Sequence, residues 1–290
     1  MARVSKHEAS SPPALATAAQ GQRPLASAHR SALTRLEPLL QALAVPVALL
    51  VLWQLGANLG LLPAWLVSPA AIGAQFGAWL VSGELFLHAR DSLYRSLSGF
   101  ALGALFGVVL GLLAGVSPRV ASFFDPLISL TYPVPKIAIL PVLIVWFGIS
   151  DTSKIVLILI SCFYPCFIAA LYGVRAADQT WIWAAQNMGA SGWQVFWKVI
   201  VPAAAPQIFA GLRVALALAF ILMFSSEMIG SSNRTGLGFL ILNAEAGGRF
   251  DAIFAAILAI GILGFVCDRL LLAVRNRLLV GQSIAEGRHG

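Results

Sequence analysis

The amino-acid sequence predicts an all-α integral membrane protein with about six transmembrane helices and both termini in the cytoplasm. Three observations predict this class. Of the 290 residues, 59% are hydrophobic and 11% are charged, whereas soluble domains carry about 25% charged residues. Apolar stretches of about 20 residues, long enough for a helix to cross the hydrocarbon core, recur along the chain. Basic residues are concentrated in alternate connecting segments, which is the pattern of cytoplasmic loops.

Intervals without charged residues define the predicted spans in order. They cover 38–60, 96–118, 126–150, 155–174, a stretch within 203–228 and a stretch within 252–272. The third is the least regular, because Pro133 and Pro135 precede Lys136 inside it. Lys136 opens this span at the inner face, where a positively charged cytoplasmic anchor explains it.

Charge and composition also set the boundaries of the segments. With the N-terminus inside, most of the 19 Lys and Arg residues fall in inner segments, which favours cytoplasmic termini. We expect a disordered cytoplasmic tail over 1–36, which has no apolar run. We expect a transmembrane domain over 37–280 and a cytoplasmic tail over 281–290. The longest inner loop is then 175–202, and the broken apolar stretch 63–82 is expected at the membrane interface.

A stripe of glycines runs along the second span at every fourth position. It consists of Gly99, Gly103, Gly107, Gly111 and Gly115. Small residues at this spacing let another helix approach closely. We interpret the stripe as a helix-packing surface, with a moving contact between helices as the alternative.

Composition and motifs exclude several functions. The net charge of +7 is spread thinly and forms no basic patch, so we expect no nucleic-acid partner. Cys162 and Cys166 lie one helical turn apart, but no histidine falls in a predicted membrane core to complete a metal site. We therefore expect buried thiols and no metal. No GxxxxGK[ST] phosphate loop is present, so the chain does not hold ATP in that manner.

The stretch WAAQNMGASGWQVFWKVIVPAAAP, 183–206, is too polar to span a membrane. It predicts two short helices joined by a bend. Thr180 or Asp178 caps the first helix, which runs to Met188, and Gly189 permits the turn.

Ser191 and Gln194 have the spacing of a capping box for a second helix over Trp193–Ile200. Pro202 ends that helix or starts the next one. The first helix exposes Ala184 and Ala185, small residues beside which a partner surface fits. The segment is predicted to be a docking element on the cytoplasmic side.

This loop resembles the EAA loop of ABC importer permeases, Glu-Ala-Ala-x3-Gly-x9-Ile-x-Leu-Pro. The matching positions, with the alanine after the glycine, are Trp183, Ala184, Ala185, Gly189, Ala190, Val199, Val201 and Pro202. Trp183 stands where the family often has Glu. The segments YPVPKIAILPVLIVWFGISDTSKI, NMGASGWQVFWKVIVPAAAP, AGLRVAL and SEMIGSSNRTGLGFLI resemble the nitrate, sulfonate, taurine and bicarbonate branch of that family.

The resemblance implies the type I ABC importer permease fold in a bacterial inner membrane. It implies a coupling loop over 175–202 that touches a separate ATP-binding subunit, which holds ATP and magnesium, so no cofactor is expected in this chain. An extracytoplasmic solute-binding protein, a homodimer and a small oxyanion such as a sulfonate, taurine or nitrate are also implied. The alternative is a self-sufficient secondary transporter, which requires internal repeats and intramembrane ionisable groups.

Two charged residues within the fifth span are candidates for the translocation pathway. Glu227 lies near the outer end, where it is either a gate residue or a structural ion pair. Arg213 either attracts an anion in the pathway or extends to the cytoplasmic side. The glycine-rich outer loop 229–248 is either a docking site for the binding protein or a flexible connector.

Overall fold

The computed structural model describes residues 30–230 and 234–279, with side chains from residue 44 onward. These residues form helices and no strand. The helices are α1 (Arg30–Asn58), α2 (Pro69–Ser82), α3 (Glu84–Val116), α4 (Pro118–Thr131), α5 (Leu140–Phe147), α6 (Asp151–Arg175), α7 (Gln179–Asn187), α8 (Gly192–Val195), α9 (Val201–Ile229), α10 (Leu237–Ala246) and α11 (Phe250–Leu279). The chain divides into a unit that ends at Trp53 and a unit that begins at Gln54.

The first helix starts earlier than the sequence predicted. α1 begins at Arg30, before the predicted start of the transmembrane domain at residue 37, and the domain boundary itself stays a prediction. Residues 30–37 contain Arg, Ala and Leu and neither proline nor glycine, a composition that favours helix. The rest of the predicted N-terminal tail and the predicted tail 281–290 lie outside the described residues.

Within the described residues, four helical rods are long and apolar enough to cross a membrane. They are α3, α6, the continuous rod Gly192–Ile229 and α11. A fifth exists if α4 and Lys136–Phe147 are one span, but the two parts are bent by 88°. The predicted span over 126–150 is therefore not one continuous helix. Pro133 and Pro135 lack the N–H that a continuing helix requires, which explains the break.

The glycine stripe places the backbone of α3 directly against α6. A Cβ atom at Gly103 would lie 2.6 Å from the carbonyl oxygen of Leu159, and one at Gly107 would lie 2.6 Å from that of Phe163. Carbon and oxygen atoms do not approach this closely without displacement of the backbone. The close approach of α3 and α6 therefore requires glycine, which has no Cβ atom, at these two positions.

α6 also packs against α9, so α6 lies between two neighbouring spans. A Cβ atom at Gly211 of α9 would lie 2.7 Å from the carbonyl oxygen of Pro165. The buried cluster beside this contact includes Leu157, Cys162 and Met223, which are fully buried. α2, part of the stretch predicted to be interfacial, has 14 residues, and at 1.5 Å per residue this is about 21 Å, too short to span.

We expect Gly107→Ala to lower the free energy of unfolding by about 1–3 kcal/mol, because the added methyl group overpacks the α3–α6 contact. The measurement is the midpoint of thermal unfolding, determined on the monodisperse fraction of the detergent-solubilised protein. Gly261→Ala is the matched control, because a Cβ atom at this helical glycine meets nothing within 4 Å. Equal losses for the two variants would contradict the packing role.

Candidate functional site

The predicted coupling loop begins with α7, whose first turn is capped by Asp178. The carboxylate of Asp178 accepts a hydrogen bond from Thr180 N–H at 2.8 Å, so Asp178 is the cap and Thr180 is not. This hydrogen bond lowers the pKa of Asp178 below its usual value, which keeps the cap ionised at neutral pH. Gly189 follows the helix with φ +85°, a conformation that glycine adopts without steric penalty.

The second helix of the loop starts with the predicted capping box. Gln194 Oε1 accepts from Ser191 N–H at 2.9 Å, and Ser191 Oγ accepts from Gln194 N–H at 3.4 Å. The helix does not stop at Ile200 as predicted. It passes through a π turn, Phe196–Ile200, into α9. Pro202 lies in the first turn of α9, where its missing N–H is tolerated.

α7 exposes an uncharged surface. Trp183 is 61% exposed and Met188 is 81% exposed, and Ala184 between them is also exposed. The prediction that Ala185 is exposed is wrong, because Ala185 lies on the opposite side of α7, toward α8, and is buried. No charged residue occurs between Asp178 and Lys198.

A cleft of about 390 Å³ opens between α7 and the start of the long rod. Four of the residues that match the EAA loop line it, namely Ala185, Gly189, Ala190 and Val199. Lys198 contributes a positive charge at its edge. The loop thus combines an apolar exposed helix with a small adjacent recess, which is the form of a docking element.

The N-terminal part of α3, which precedes the glycines, carries a polar stripe on the same side of the helix as the glycines. His88, Asp91, Ser92 and Arg95 have the i, i+3, i+4, i+7 spacing of one helical face. They hold the backbone segment Thr235–Gly238. His88 Nδ1 accepts from Gly236 N–H at 3.0 Å, and Ser92 Oγ accepts from Leu237 N–H at 2.9 Å.

Asp91 and Arg95 extend this attachment. Thr235 Oγ1 donates to Asp91 at 2.6 Å, and Arg95 donates to the carbonyl oxygen of Thr235 at 3.0 Å.

Glu227 is the anion at the centre of this polar cluster. Its carboxylate is fully buried and accepts from Arg95 at 2.7 Å, from Ser92 at 2.9 Å and from Gly238 N–H at 3.0 Å. The last contact places the carboxylate at the N-terminus of α10, where the helix dipole stabilises it. The structure shows Glu227 in a buried ion pair with Arg95, and its role as a gate residue stays a prediction.

Gly236 and Gly238 make room for this carboxylate. A Cβ atom at Gly236 would lie 2.5 Å from Glu227 Oε2, and one at Gly238 would lie 2.7 Å from Glu227 Cβ. The GLG of the outer segment is thus explained by close approach to a buried ion pair. The outer loop 229–248, predicted as a docking site or connector, is attached to α3 and α9 through this part.

Two basic residues that the sequence placed in outer segments are instead buried in helices. Arg95 is 0% exposed and also donates to Asp151 of α6 at 2.7 Å. Lys154 is 2% exposed, and its ammonium group has no hydrogen-bond partner among the described residues. The cluster therefore joins α3, α6 and α9 at one end. The sequence signal was the helical spacing of polar residues before the glycine stripe.

Arg213 forms a second ion pair, away from the outer cluster. It binds Asp268 of α11 through two hydrogen bonds, of 2.7 and 3.0 Å. The Arg213 side chain is 58% exposed, so water and salt screen the pair and it contributes little to stability. The pair lines a groove between α9 and α11 that also contains Gly261 and Phe265.

The cysteines are enclosed by the helix contacts. Cys162 and Cys166 are 0% exposed, and Cys162 Sγ lies 3.2 Å from the carbonyl oxygen of Ala215. In the described part of the chain, no three His, Cys, Asp or Glu side chains are grouped to hold a metal.

We expect Glu227→Gln to lower the free energy of unfolding by about 3–5 kcal/mol, because it leaves the buried Arg95 without its main counter-charge. Lys154→Met is the contrasting variant at an equally buried charge. It removes an ammonium group without a hydrogen-bond partner, so we expect a change within about 1 kcal/mol or a gain. Thermal midpoints in detergent measure both. A larger loss for Lys154→Met than for Glu227→Gln would refute this description of the cluster.

Comparisons with known proteins agree with this geometry. Residues 107–280 match the family described as "Binding-protein-dependent transport system inner membrane component". The chain is 33% identical over 249 residues to a protein named as an aliphatic sulfonates transport permease, SsuC, of Bacillus subtilis, covering 86% of this chain and 90% of that one. It is 39% identical over 198 residues to the taurine transport system permease protein TauC of Escherichia coli, covering 68% and 71%.

A solved structure shows the same fold. An inward-facing conformation of the MetNI methionine ABC transporter superposes with a TM-score of 0.56 at 18% identity, covering 68% of this chain and 98% of that one. The family is that of a permease subunit and not of an enzyme, because ATP hydrolysis takes place in a separate subunit. Family membership implies an ATP-binding subunit and a substrate-binding protein as partners. The chain therefore belongs to the binding-protein-dependent inner-membrane components, as the multi-pass permease subunit of an ABC importer.

Proposed function

We propose that this permease imports a small sulfonate or a related oxyanion across a bacterial inner membrane. It works as a homodimer with two ATP-binding subunits and an extracytoplasmic solute-binding protein. The names of the relatives SsuC and TauC support the solute class. The chain lacks a phosphate loop, so ATP and magnesium belong to the partner subunit.

The observation that carries the proposal is the exposed surface of α7. Trp183, Ala184 and Met188 expose apolar atoms beside a recess and carry no charge. Large exposed apolar groups at one place mark interaction sites. The ATP-binding subunit covers α7 in the assembled importer, which removes Trp183 and Met188 from water.

The long rod that starts at Gly192 gives this contact a mechanical consequence. It has 38 residues, which corresponds to about 57 Å at 1.5 Å per residue. A movement of the ATP-binding subunits at α7 and α8 is thus applied to one end of a transmembrane element. ATP binding and hydrolysis bias the two states of the permease through this contact.

We expect Gly189→Arg to reduce co-purification of the ATP-binding subunit and solute-stimulated ATPase activity by about tenfold or more. The substitution strains a left-handed turn and adds bulk beside the recess. The experiment expresses the chain with its neighbouring genes and identifies the co-purified subunit by mass spectrometry. Gly189→Asn is a conservative variant, because Asn tolerates the left-handed conformation.

Gly60→Arg is the matched control. Gly60 also has a positive φ, of 68°, and a Cβ atom there also meets nothing within 4 Å, but it lies in the connection between α1 and α2. We expect this variant to retain the ATP-binding subunit. If the wild-type chain purifies without an ATPase under conditions that preserve other membrane complexes, the proposal fails in favour of a self-sufficient secondary transporter.

Trp183 is expected to be the main anchor of this contact, because exposed tryptophans that become buried dominate interface energies. We expect Trp183→Ala to weaken binding of the ATP-binding subunit by about 2 kcal/mol or more, near thirtyfold in Kd. Trp193→Ala is the control, because Trp193 is 71% exposed but stacks on Phe196 and Trp197 of its own helix. Titration of the labelled ATP-binding subunit onto nanodisc-embedded permease measures the Kd of both variants. An equal loss of affinity for Trp183→Ala and Trp193→Ala would contradict the special role of α7.

A further inference from the structure

The break between α4 and α5 lies beside the middle of α6, whereas the sequence predicted Lys136 at the inner face. Thr131 Oγ1 accepts from the hydroxyl of Tyr164 at 2.8 Å, and the Lys136 ammonium lies 4.4 Å from the centre of the Tyr164 ring. Tyr164 is about 20 Å from the start of α6 and about 16 Å from its end, at 1.5 Å per residue. The break is therefore near the middle of a spanning helix.

The packing of the flanking helices supports this depth. Ala121, near the start of α4, packs with Leu171 close to the inner end of α6. On the other side of the break, Leu140 and Leu143 of α5 pack with Leu157 near the outer end of α6. α4 and α5 thus approach the middle of α6 from opposite ends.

This mid-membrane break is exposed in the single chain. Tyr132 is 60% exposed and Val134 is 43% exposed, and the segment between α4 and Lys136 is not an α-helix. Irregular backbone at membrane depth does not face lipid. It occurs where protein covers it or where it lines a water-filled cavity.

The charge at the break is positive. The Lys136 ammonium donates to the carbonyl oxygens of Thr131, Tyr132 and Val134 at 2.8, 2.8 and 2.9 Å. A helix C-terminus carries about half a negative charge, so a full ammonium charge leaves about half a positive charge in excess. Among the described residues, no carboxylate forms an ion pair with Lys136.

A hydroxyl group beside this cation completes a donor set for an oxyanion. The ring of Tyr132 lies 5.8 Å from the ammonium of Lys136. The described residues give the Tyr132 hydroxyl no hydrogen-bond partner, whereas the hydroxyl of Tyr164 is used by Thr131. All three N–H groups of the Lys136 ammonium are taken up by carbonyl oxygens, so an oxyanion at the break meets its positive charge and, as a free donor, the O–H of Tyr132.

We propose that the α4–α5 break, with Lys136 and Tyr132, is a binding site for the anionic group of the solute within the translocation pathway. Intramembrane ionisable residues at broken helices mark such pathways in transporters. This inference rests on the proposed function, because it locates the solute that the importer carries. In a homodimer, each copy supplies one such break to the pathway between them.

The first test is uptake of labelled taurine and ethanesulfonate by proteoliposomes that contain the complete importer and its binding protein. We expect Lys136→Met to lower uptake of both about tenfold or more, since it removes a charged hydrogen-bonding group, and Lys136→Arg to recover part of the loss. Arg119→Met is the control, because it removes an exposed cation from the start of α4, whose C-terminal end is the one that Lys136 contacts. Wild-type uptake by Lys136→Met would overturn the proposal.

The second test separates solute binding from a helix-capping role of Lys136. Val134→Cys, in the complete complex, is treated with a water-soluble anionic methanethiosulfonate reagent, because Val134 is exposed at the break and its replacement leaves Lys136 and Tyr132 in place. We expect it to react, and we expect added solute to slow the reaction at least fivefold, as occupancy at about four times Kd requires. A cysteine that fails to react, or that reacts equally fast with solute present, overturns the site.

The two tests also distinguish this inference from the proposed function. If the wild-type importer takes up neither solute, the proposed solute class is wrong, and the reaction of Val134→Cys still decides whether the break lines an aqueous pathway. If Lys136→Met loses uptake and thermal stability together and Lys136→Arg recovers neither, Lys136 is only a cap for α4 and the binding role is refuted.

Discussion

The close contact between the backbones of α3 and α6 is the constraint on which the rest of the described membrane domain depends. Lipid is as apolar as the helices, so apolar burial gives no drive for association there, and packing and hydrogen bonds must hold the spans together. Glycines at Gly103 and Gly107 let the α6 backbone lie where side chains would stand. α6 is then placed to pack against α9 on its other side.

The same side of α3 has a second role toward its outer end. There the glycines give way to Ser92 and Arg95, which hold the carboxylate of Glu227 and the start of α10. Arg95 donates to Asp151 of α6 as well as to Glu227 of α9, so the polar cluster joins the same three helices that the glycine contacts bring together. Helix packing and the polar cluster are thus parts of one arrangement, in which α3 is the common element.

Local chemistry was predictable from the sequence, whereas contacts between distant residues were not. The capping box of Ser191 and Gln194 and the period of the glycines follow from rules that operate within a few residues. Arg95 and Glu227 are separated by 132 residues, and no spacing rule joins them. The hydropathy of 126–150 also indicates one apolar block, because mean hydropathy over a window does not register the prolines at which the chain turns by 88°.

The continuous rod from Gly192 to Ile229 connects the sites that the sequence treated separately. Its inner end carries the capping box beside the recess at Gly189, and its outer end carries Glu227 in the ion pair with Arg95. A helix transmits displacement along its axis with little loss, so a rotation imposed at the inner end acts on the buried charges at the outer end. The π turn Phe196–Ile200 lies between the docking element and the membrane-spanning part. Its altered helical winding lets the inner end of the rod bend before the membrane-spanning part does. Under the proposed function, a push at α7 would reach both the outer cluster and the α6–α9 contact, because α9 belongs to both.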